Sequence, residues 1–128
     1  MNARDTQNPA RYVIQRHARG QDVHWDFMLE SGNVLRTWRV ALPPEQLVHE
    51  AVQARQIADH PVRFLTYEGP VNQGKGTVAI ADSGSYTVTE SPGRLHLHLQ
   101  GRVLSGLFCL RHVENENWRF EAADVPTS

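Results

Sequence analysis

The sequence predicts a mainly β domain, a small closed or nearly closed antiparallel β-barrel with one short helix. Short segments in which apolar and polar residues alternate recur along the chain, and glycine-containing turns separate them, as is typical of antiparallel sheets. Eight or nine such segments would leave exposed edges in a flat sheet, so closure is favoured. The chain has 128 residues, 40% of them hydrophobic, which is enough for one core.

The individual elements follow from the same alternation and from the positions of glycine and proline. Residues 22–30 form the clearest strand, because every second side chain is apolar, and the turn after them predicts a hairpin. Pro43 and Pro44 predict the start of the helix, whose apolar stripe extends to about Ile57. The other strands are predicted at residues 11–15, 34–41, 62–67, 76–81, 85–89, 95–99, 106–112 and 118–122.

Composition and charge restrict the class of protein. Cys109 is the only cysteine, which excludes an internal disulfide framework and a cysteine-rich zinc site. A net charge of -1 argues against coating nucleic acid by charge alone, although a local basic site is compatible with it. No apolar stretch has membrane length and the first residues are polar, so we expect a cytoplasmic protein without a membrane partner. We expect one domain over residues 11–124, between loose segments at 1–10 and 125–128.

Three residues near the N-terminus form a candidate metal site. His24 and Asp26 are two positions apart on one strand, so their side chains leave the same face, and His17 lies near the end of the preceding strand. Two imidazoles and a carboxylate suit manganese, zinc or ferrous iron and leave open positions for a substrate. The alternative is that His24 and Asp26 lie on a solvated strand face and His17 in a loop.

The motifs around these residues resemble the 3′-phosphoesterase domain of bacterial DNA ligase D. Their order and spacing match that family over nearly the whole chain. The matching segments are the strand ending in Gln-Arg-His at 11–17, His-Trp-Asp-Phe-Met-Leu-Glu at 24–30, Asp-His-Pro at 59–61, Tyr-Glu-Gly at 67–69, Gly-Lys-Gly-Thr-Val at 74–78, and the closing segment at 101–110 with Trp118 after it.

The resemblance implies a compact barrel that binds manganese, or another divalent transition metal such as zinc. It implies an enzyme that removes 3′-phosphate groups and terminal ribonucleotides from 3′ ends of DNA or RNA before ligation. His17, His24 and Asp26 match the family's metal ligands, and His60 matches a histidine that contacts the scissile phosphate. No ligase or polymerase motif follows Phe120, so the expected ligase or polymerase partner is a separate chain.

Several positions depart from the family pattern. Met28 stands where the family has an arginine that grips the phosphate, Phe64 replaces a tyrosine, and the loop between His17 and His24 is one residue longer. One interpretation is that another arginine has taken over the phosphate. The candidates are Arg16, Arg19, Arg36 and Arg39. The other interpretation is a catalytically weakened relative that serves as a nucleic-acid end-binding or complex-forming module.

Overall fold

A single antiparallel sheet of nine strands dominates the computed structural model, which describes residues 9–123. The predicted loose segments therefore fall largely outside the described residues. The strands are β1 (Ala10–Arg19), β2 (Asp22–Ser31), β3 (Val34–Val40), β4 (Val52–Pro61), β5 (Gly69–Pro70), β6 (Thr77–Ser91), β7 (Arg94–Gly101), β8 (Ser105–Glu114) and β9 (Asn117–Ala122).

The sheet closes on itself, which confirms the predicted mainly β, closed antiparallel fold. Its strand order is β1-β2-β3-β4-β9-β8-β7-β6-β5, and β1 also pairs with β6. Eight strands therefore form a ring, and the two-residue β5 is attached to the edge of β6. Closure leaves the ring strands without the unpaired edges that promote association between sheets.

The 15-residue strand β6 closes the ring because it is long enough to pair with both β1 and β7. The sequence predicted two strands here, at 76–81 and 85–89, and that division is wrong. Gly84, which separated them, lies inside the strand, where β7 approaches closely. A Cβ atom at Gly84 would overlap the backbone of Gln100 and Gly101, so this glycine permits the pairing of the two strands.

The predicted helix is much shorter than expected. Helix α1 covers only Pro44–Leu47, and Val52 and Ile57, which continued the predicted apolar stripe, belong to β4. Tertiary pairing with β3 and β9 decides the strand conformation, since an apolar stripe this short also fits a strand face. The predicted strand at 62–67 is likewise wrong, because Val62–Leu65 forms a 3₁₀ turn. Within residues 9–123, no helix is long and apolar enough to cross a membrane.

Apolar side chains fill the inside of the ring and a smaller area outside it. The inner cluster comprises Tyr12, Ile14, Phe27, Leu29, Trp38, Val40, Leu47, Ala54, Tyr86, Leu95, Leu97, Leu99, Leu104, Phe108, Leu110 and Phe120. On the outer face of the first three strands, Val13, Met28 and Leu35 form a second cluster with Leu65 of the 3₁₀ turn. The outer face is therefore partly covered, and the polar residues beside this cluster form the candidate site.

Candidate metal centre

Three potential ligands meet on the outer face of the β1–β2 hairpin. His17 and His24 are register partners, and Nδ1 of His17 lies 3.0 Å from Nε2 of His24. Asp26 follows on the same face of β2, with Oδ1 at 3.6 Å from Nε2 of His24. The potential ligand atoms of the three residues all lie within 4.8 Å of one another. The structure thus brings together the residues that the sequence placed in one metal site.

The hairpin turn explains why the longer spacing does not separate the histidines. Arg19 and Asp22 are the last register partners, so a two-residue turn that begins with Gly20 connects the strands. Gly20 has a φ of 60°, which glycine adopts without steric cost. Pairing continues without interruption from this turn to His17 and His24, so the two rings lie directly opposite each other.

Gly76 determines which ring nitrogen of His17 faces the other candidate ligands. A Cβ atom at Gly76 would lie 2.6 Å from Nε2 of His17, so only glycine leaves room for the ring. Nε2 is buried there without a hydrogen-bond partner, while Nδ1 faces His24 and Asp26. Two imidazole nitrogens and a carboxylate, pre-positioned in this way, fit a divalent transition ion.

Burial at this centre favours the neutral imidazole of His24, which is the form that can coordinate a metal. Burial lowers the pKa of His24, and the Asp26 carboxylate opposes this shift only in part. Asp26 is 4% exposed, and Nε of Arg39, its register partner on β3, donates to Oδ1 at 3.1 Å. Arg39 therefore holds the carboxylate beside His24 and places a positive charge next to the centre.

A cavity of about 750 Å³ opens over His17 and His24, whereas Asp26 is not among its lining residues. It is lined by His17, Arg19, Asp22, His24, Arg39, Asn72, Gln73 and Lys75. Two of the four arginines proposed from the sequence, Arg19 and Arg39, thus belong to the site. Sequence reasoning missed Asn72, Gln73 and Lys75, and the only available signal was that Lys75 is the single lysine of the chain and lies in a glycine-rich segment.

The other two arginines lie elsewhere. Arg36 is on the opposite face of β3, where its guanidinium lies 5.2 Å from the centroid of the Trp38 ring and 3.6 Å from Glu90. Arg16 is exposed on β1 opposite Trp25 and does not line the cavity. Strand alternation accounts for both placements, because the even-numbered residues of β1 and β3 turn away from the face of the metal ligands.

The two side chains that differ from the family pattern, Met28 and Phe64, both lie at the second apolar cluster. Met28 shares the face of His24 and Asp26, as alternation predicts, but it is completely buried. Phe64 packs against the same cluster, and its ring contacts the edge of His60 at a centroid distance of 5.7 Å. An apolar contact therefore occupies the position at which the sequence comparison expected a phosphate-binding arginine.

His60 lies beyond the cavity, next to the β3 residue Thr37. Its Nδ1 is 3.0 Å from the carbonyl oxygen of Ala58 and 3.1 Å from Oγ1 of Thr37, whose hydroxyl donates to the carbonyl of Leu35. A carbonyl can only accept, so Nδ1 carries the hydrogen and Nε2 is the nitrogen that can meet a substrate. Thr37, which contacts His60, and Arg39, which lines the cavity, are two residues apart on the same face of β3, so their Cα atoms lie roughly 7 Å apart.

Comparisons with known proteins agree with the motifs and the geometry. The model of the DNA Ligase D 3'-phosphoesterase domain matches residues 15–112. The multifunctional non-homologous end joining protein LigD of Pseudomonas aeruginosa is 33% identical over an alignment of 114 residues, with 80% of this chain and 13% of that protein covered. The corresponding protein of Mycobacterium tuberculosis is 33% identical over an alignment of 118 residues, with 84% of this chain and 15% of that protein covered. The chain therefore spans only a small part of these relatives, and it belongs to the DNA ligase D 3′-phosphoesterase domain family.

Proposed function

We propose that this chain is a metal-dependent phosphoesterase that removes 3′-phosphate groups or terminal ribonucleotides from ends of DNA or RNA. Membership of the 3′-phosphoesterase family supports a role in the repair of ends. The observation that carries the proposal is the cluster of His17, His24 and Asp26 beneath a cavity that also contains basic side chains. A DNA ligase or polymerase is the proposed enzyme that then acts on the repaired end.

His17, His24 and Asp26 would hold manganese or zinc through two imidazole nitrogens and one carboxylate. Imidazole ligands favour these ions over magnesium, which prefers oxygen. When bound, the ion supplies Lewis-acid polarisation of the phosphoryl group. The protein contributes the pre-positioned ligand atoms, with His17 fixed by Gly76 and Asp26 by Arg39.

Arg39 is the proposed replacement for the phosphate-binding arginine. It uses Nε to bind Asp26, which leaves its terminal nitrogens outside that contact, and it lines the cavity together with Arg19 and Lys75, which add positive charge. A guanidinium beside the reacting phosphate stabilises the negative charge that increases in the transition state. Arg39 thus combines two tasks, since it orients a metal ligand and contacts the phosphate.

His60 is the proposed general acid. The carbonyl of Ala58 and the hydroxyl of Thr37 hold its Nδ1, which leaves Nε2 to donate a proton to the leaving oxygen. After donation the ring returns to the neutral tautomer with hydrogen on Nδ1, which these acceptors stabilise.

The burial of Met28 favours the second candidate function, a module that binds ends without cleaving them, because no arginine occupies that position.

Phosphate release from a 3′-phosphorylated primer-template in the presence of manganese tests the proposal. We expect Arg39→Ala to lower the rate by about 10²–10³-fold, as for the loss of one positioned donor. Arg36→Ala is the matched control, because this arginine lies on the opposite face of the same strand, and it should retain the activity. Wild-type protein that binds one metal ion and the DNA end but releases no phosphate would establish the binding module instead.

Metal binding is tested separately by calorimetry. We expect His24→Ala to abolish stoichiometric manganese binding, and the affinity of the wild type to decrease below about pH 6, because protonated imidazole cannot coordinate a metal. Equal affinity of His24→Ala and wild type at all pH values would contradict the assignment of the ligands.

A further inference from the structure

A second cavity, of about 320 Å³, lies next to the metal cavity. Its lining residues are Arg63, Phe64, Pro70, Val71, Asn72, Gln73 and Gly74. Asn72 and Gln73 line both cavities, so the two spaces share a wall. A volume of this size is at the lower end of the range for ligand pockets, which suits one small planar group.

The second cavity combines an aromatic ring with a guanidinium group. The guanidinium carbon of Arg63 lies 4.5 Å from the centroid of the Phe64 ring and 5.5 Å from that of Tyr67. Phe64 is held between the edges of two rings, since His60 and Tyr67 both pack against it at centroid distances of 5.7 Å. Arginine planes and aromatic rings are the surfaces on which proteins stack unpaired nucleic-acid bases.

A buried side chain connects this aromatic segment to the metal centre. Gln15 is 2% exposed, and its Nε2 donates to the carbonyl oxygens of Phe64 at 2.9 Å and of Tyr67 at 2.8 Å. Gln15 precedes His17 by two residues on β1 and is the register partner of Asp26. The segment that carries Arg63 and Phe64 is therefore fixed relative to the metal ligands by the same strand.

We infer that the second cavity binds the base of the terminal nucleotide while its 3′-phosphate lies in the metal cavity. The inference rests on the proposed function and specifies that the last base of the substrate leaves its stack, and any base pair, when the end binds. The base stacks on the Arg63 guanidinium, which itself lies on Phe64, and the amides of Asn72 and Gln73 meet the sugar or the base edge. Because stacking is tolerant of sequence, any of the four bases is accepted.

Binding of 3′-phosphorylated single strands tests the inference without any need for turnover. Two strands are compared, one with a normal terminal nucleotide and one whose terminal sugar lacks a base. Wild-type protein should bind the first strand about 10-fold or more tightly than the second, since stacking of one base contributes an effect of this size. Arg63→Ala, an exposed position, should remove this preference and leave the affinity for the abasic strand unchanged.

Two further variants distinguish the loss of base stacking from a general loss of affinity for the strand. Phe64→Leu keeps an apolar side chain against the second apolar cluster but removes the ring, so it should also reduce the preference. Arg111→Ala is the matched arginine control, because β8 lies across the ring from β2, and it should keep the preference. Equal binding of the two strands by the wild type, or equal losses for both strands in Arg63→Ala, would overturn the inference. A base preference without phosphate release would support the base site and contradict the proposed phosphoesterase.

Discussion

At the scale of single residues, Gly76 determines whether His17 can serve as a ligand. Substitution by alanine would place a methyl group 2.6 Å from Nε2 of His17, so the ring would have to shift from the position that places Nδ1 beside His24. We expect Gly76→Ala to weaken manganese binding by about 10–100-fold, an effect typical of residues that orient a ligand. Thr77→Ala, at the next and exposed position, is the control for calorimetry. Unchanged metal affinity in Gly76→Ala would show that His17 is not a ligand.

Met28 gives a second prediction at this scale. The side chain is completely buried among Val13, Leu35 and Leu65, so Met28→Arg would place a guanidinium in an apolar cluster. We expect the free energy of unfolding to fall by about 3 kcal/mol or more, without a gain in phosphate release. Met28→Leu, which preserves the apolar contacts, should cost less than about 1.5 kcal/mol in the same urea titration. A stable arginine variant with faster turnover would instead show that the site had simply lost its phosphate-binding residue.

The meeting of the candidate metal ligands could be predicted from the sequence because strand alternation is a local rule. A spacing of two places His24 and Asp26 on one face whatever the rest of the chain does. The roles of Arg39 and Arg36 could be separated only by the same alternation applied to β3, once its register with Asp26 was known. Asn72 and Gln73 could not be predicted, since a loop with positive φ angles brings them to the cavity from a distant part of the chain.

At the scale of elements, Asp82 organises the connection between β7 and β8. Its Oδ1 accepts hydrogen bonds from the backbone N–H groups of Arg102 and Val103, and Oδ2 accepts from the N–H of Leu104 and from the Tyr12 hydroxyl. Asp82 is 3% exposed, so its charge is stabilised almost entirely by these four donors. The carboxylate thus joins β1, β6 and the connection into one unit.

We expect Asp82→Asn to lower the free energy of unfolding by roughly 2–3 kcal/mol. The amide group would present hydrogen atoms to backbone N–H groups, so at least one donor would lose its acceptor, and bonds to a charged group are worth about 1.5–3 kcal/mol. Asp59→Asn, an exposed change of the same chemistry, is the control in chemical denaturation. Equal stability of the two variants would contradict this role of Asp82.

The elements that the sequence mispredicted are those decided by distant partners. Val52 continued the predicted apolar stripe of the helix, yet it pairs with Phe120 of β9, which lies more than sixty residues away. No local pattern contains that information. The hairpin β2–β3 was predicted more closely, because its two strands are adjacent in sequence and the apolar alternation of β2 is uninterrupted.

At the scale of the whole molecule, closure of the ring places the side chains that stabilise the fold and those of the candidate site on different faces of the sheet. The inner cluster draws side chains from all eight ring strands, whereas the candidate metal ligands lie on the outer face. The ligands consequently need not contribute to the core, and we expect the fold to persist when metal is removed. The same closure places β8 across the ring from β2, so substitutions on β8 are suitable controls for the site.

Because the inner cluster contains two buried tyrosines, we expect the free energy of unfolding to fall at alkaline pH. Burial raises the pKa of both Tyr12 and Tyr86 above the ordinary value near 10. Near that pH the unfolded chain releases phenol protons that the folded protein retains, so the free energy of unfolding falls as the pH rises. Each tyrosine contributes a slope of at most about 1.4 kcal/mol per pH unit.

Urea titrations between about pH 8 and pH 11 measure this slope. Burial also raises the pKa of the Cys109 thiol, which contributes in the same direction from lower pH, so Cys109→Ala serves as the background for all variants. Tyr86→Phe in this background should show a shallower decline, because the side chain that replaces the phenol cannot ionise. Tyr12→Phe should do the same while being less stable at neutral pH, since Asp82 loses one of its four donors. A decline as steep in both phenylalanine variants as in the background would show that neither buried tyrosine is responsible for it.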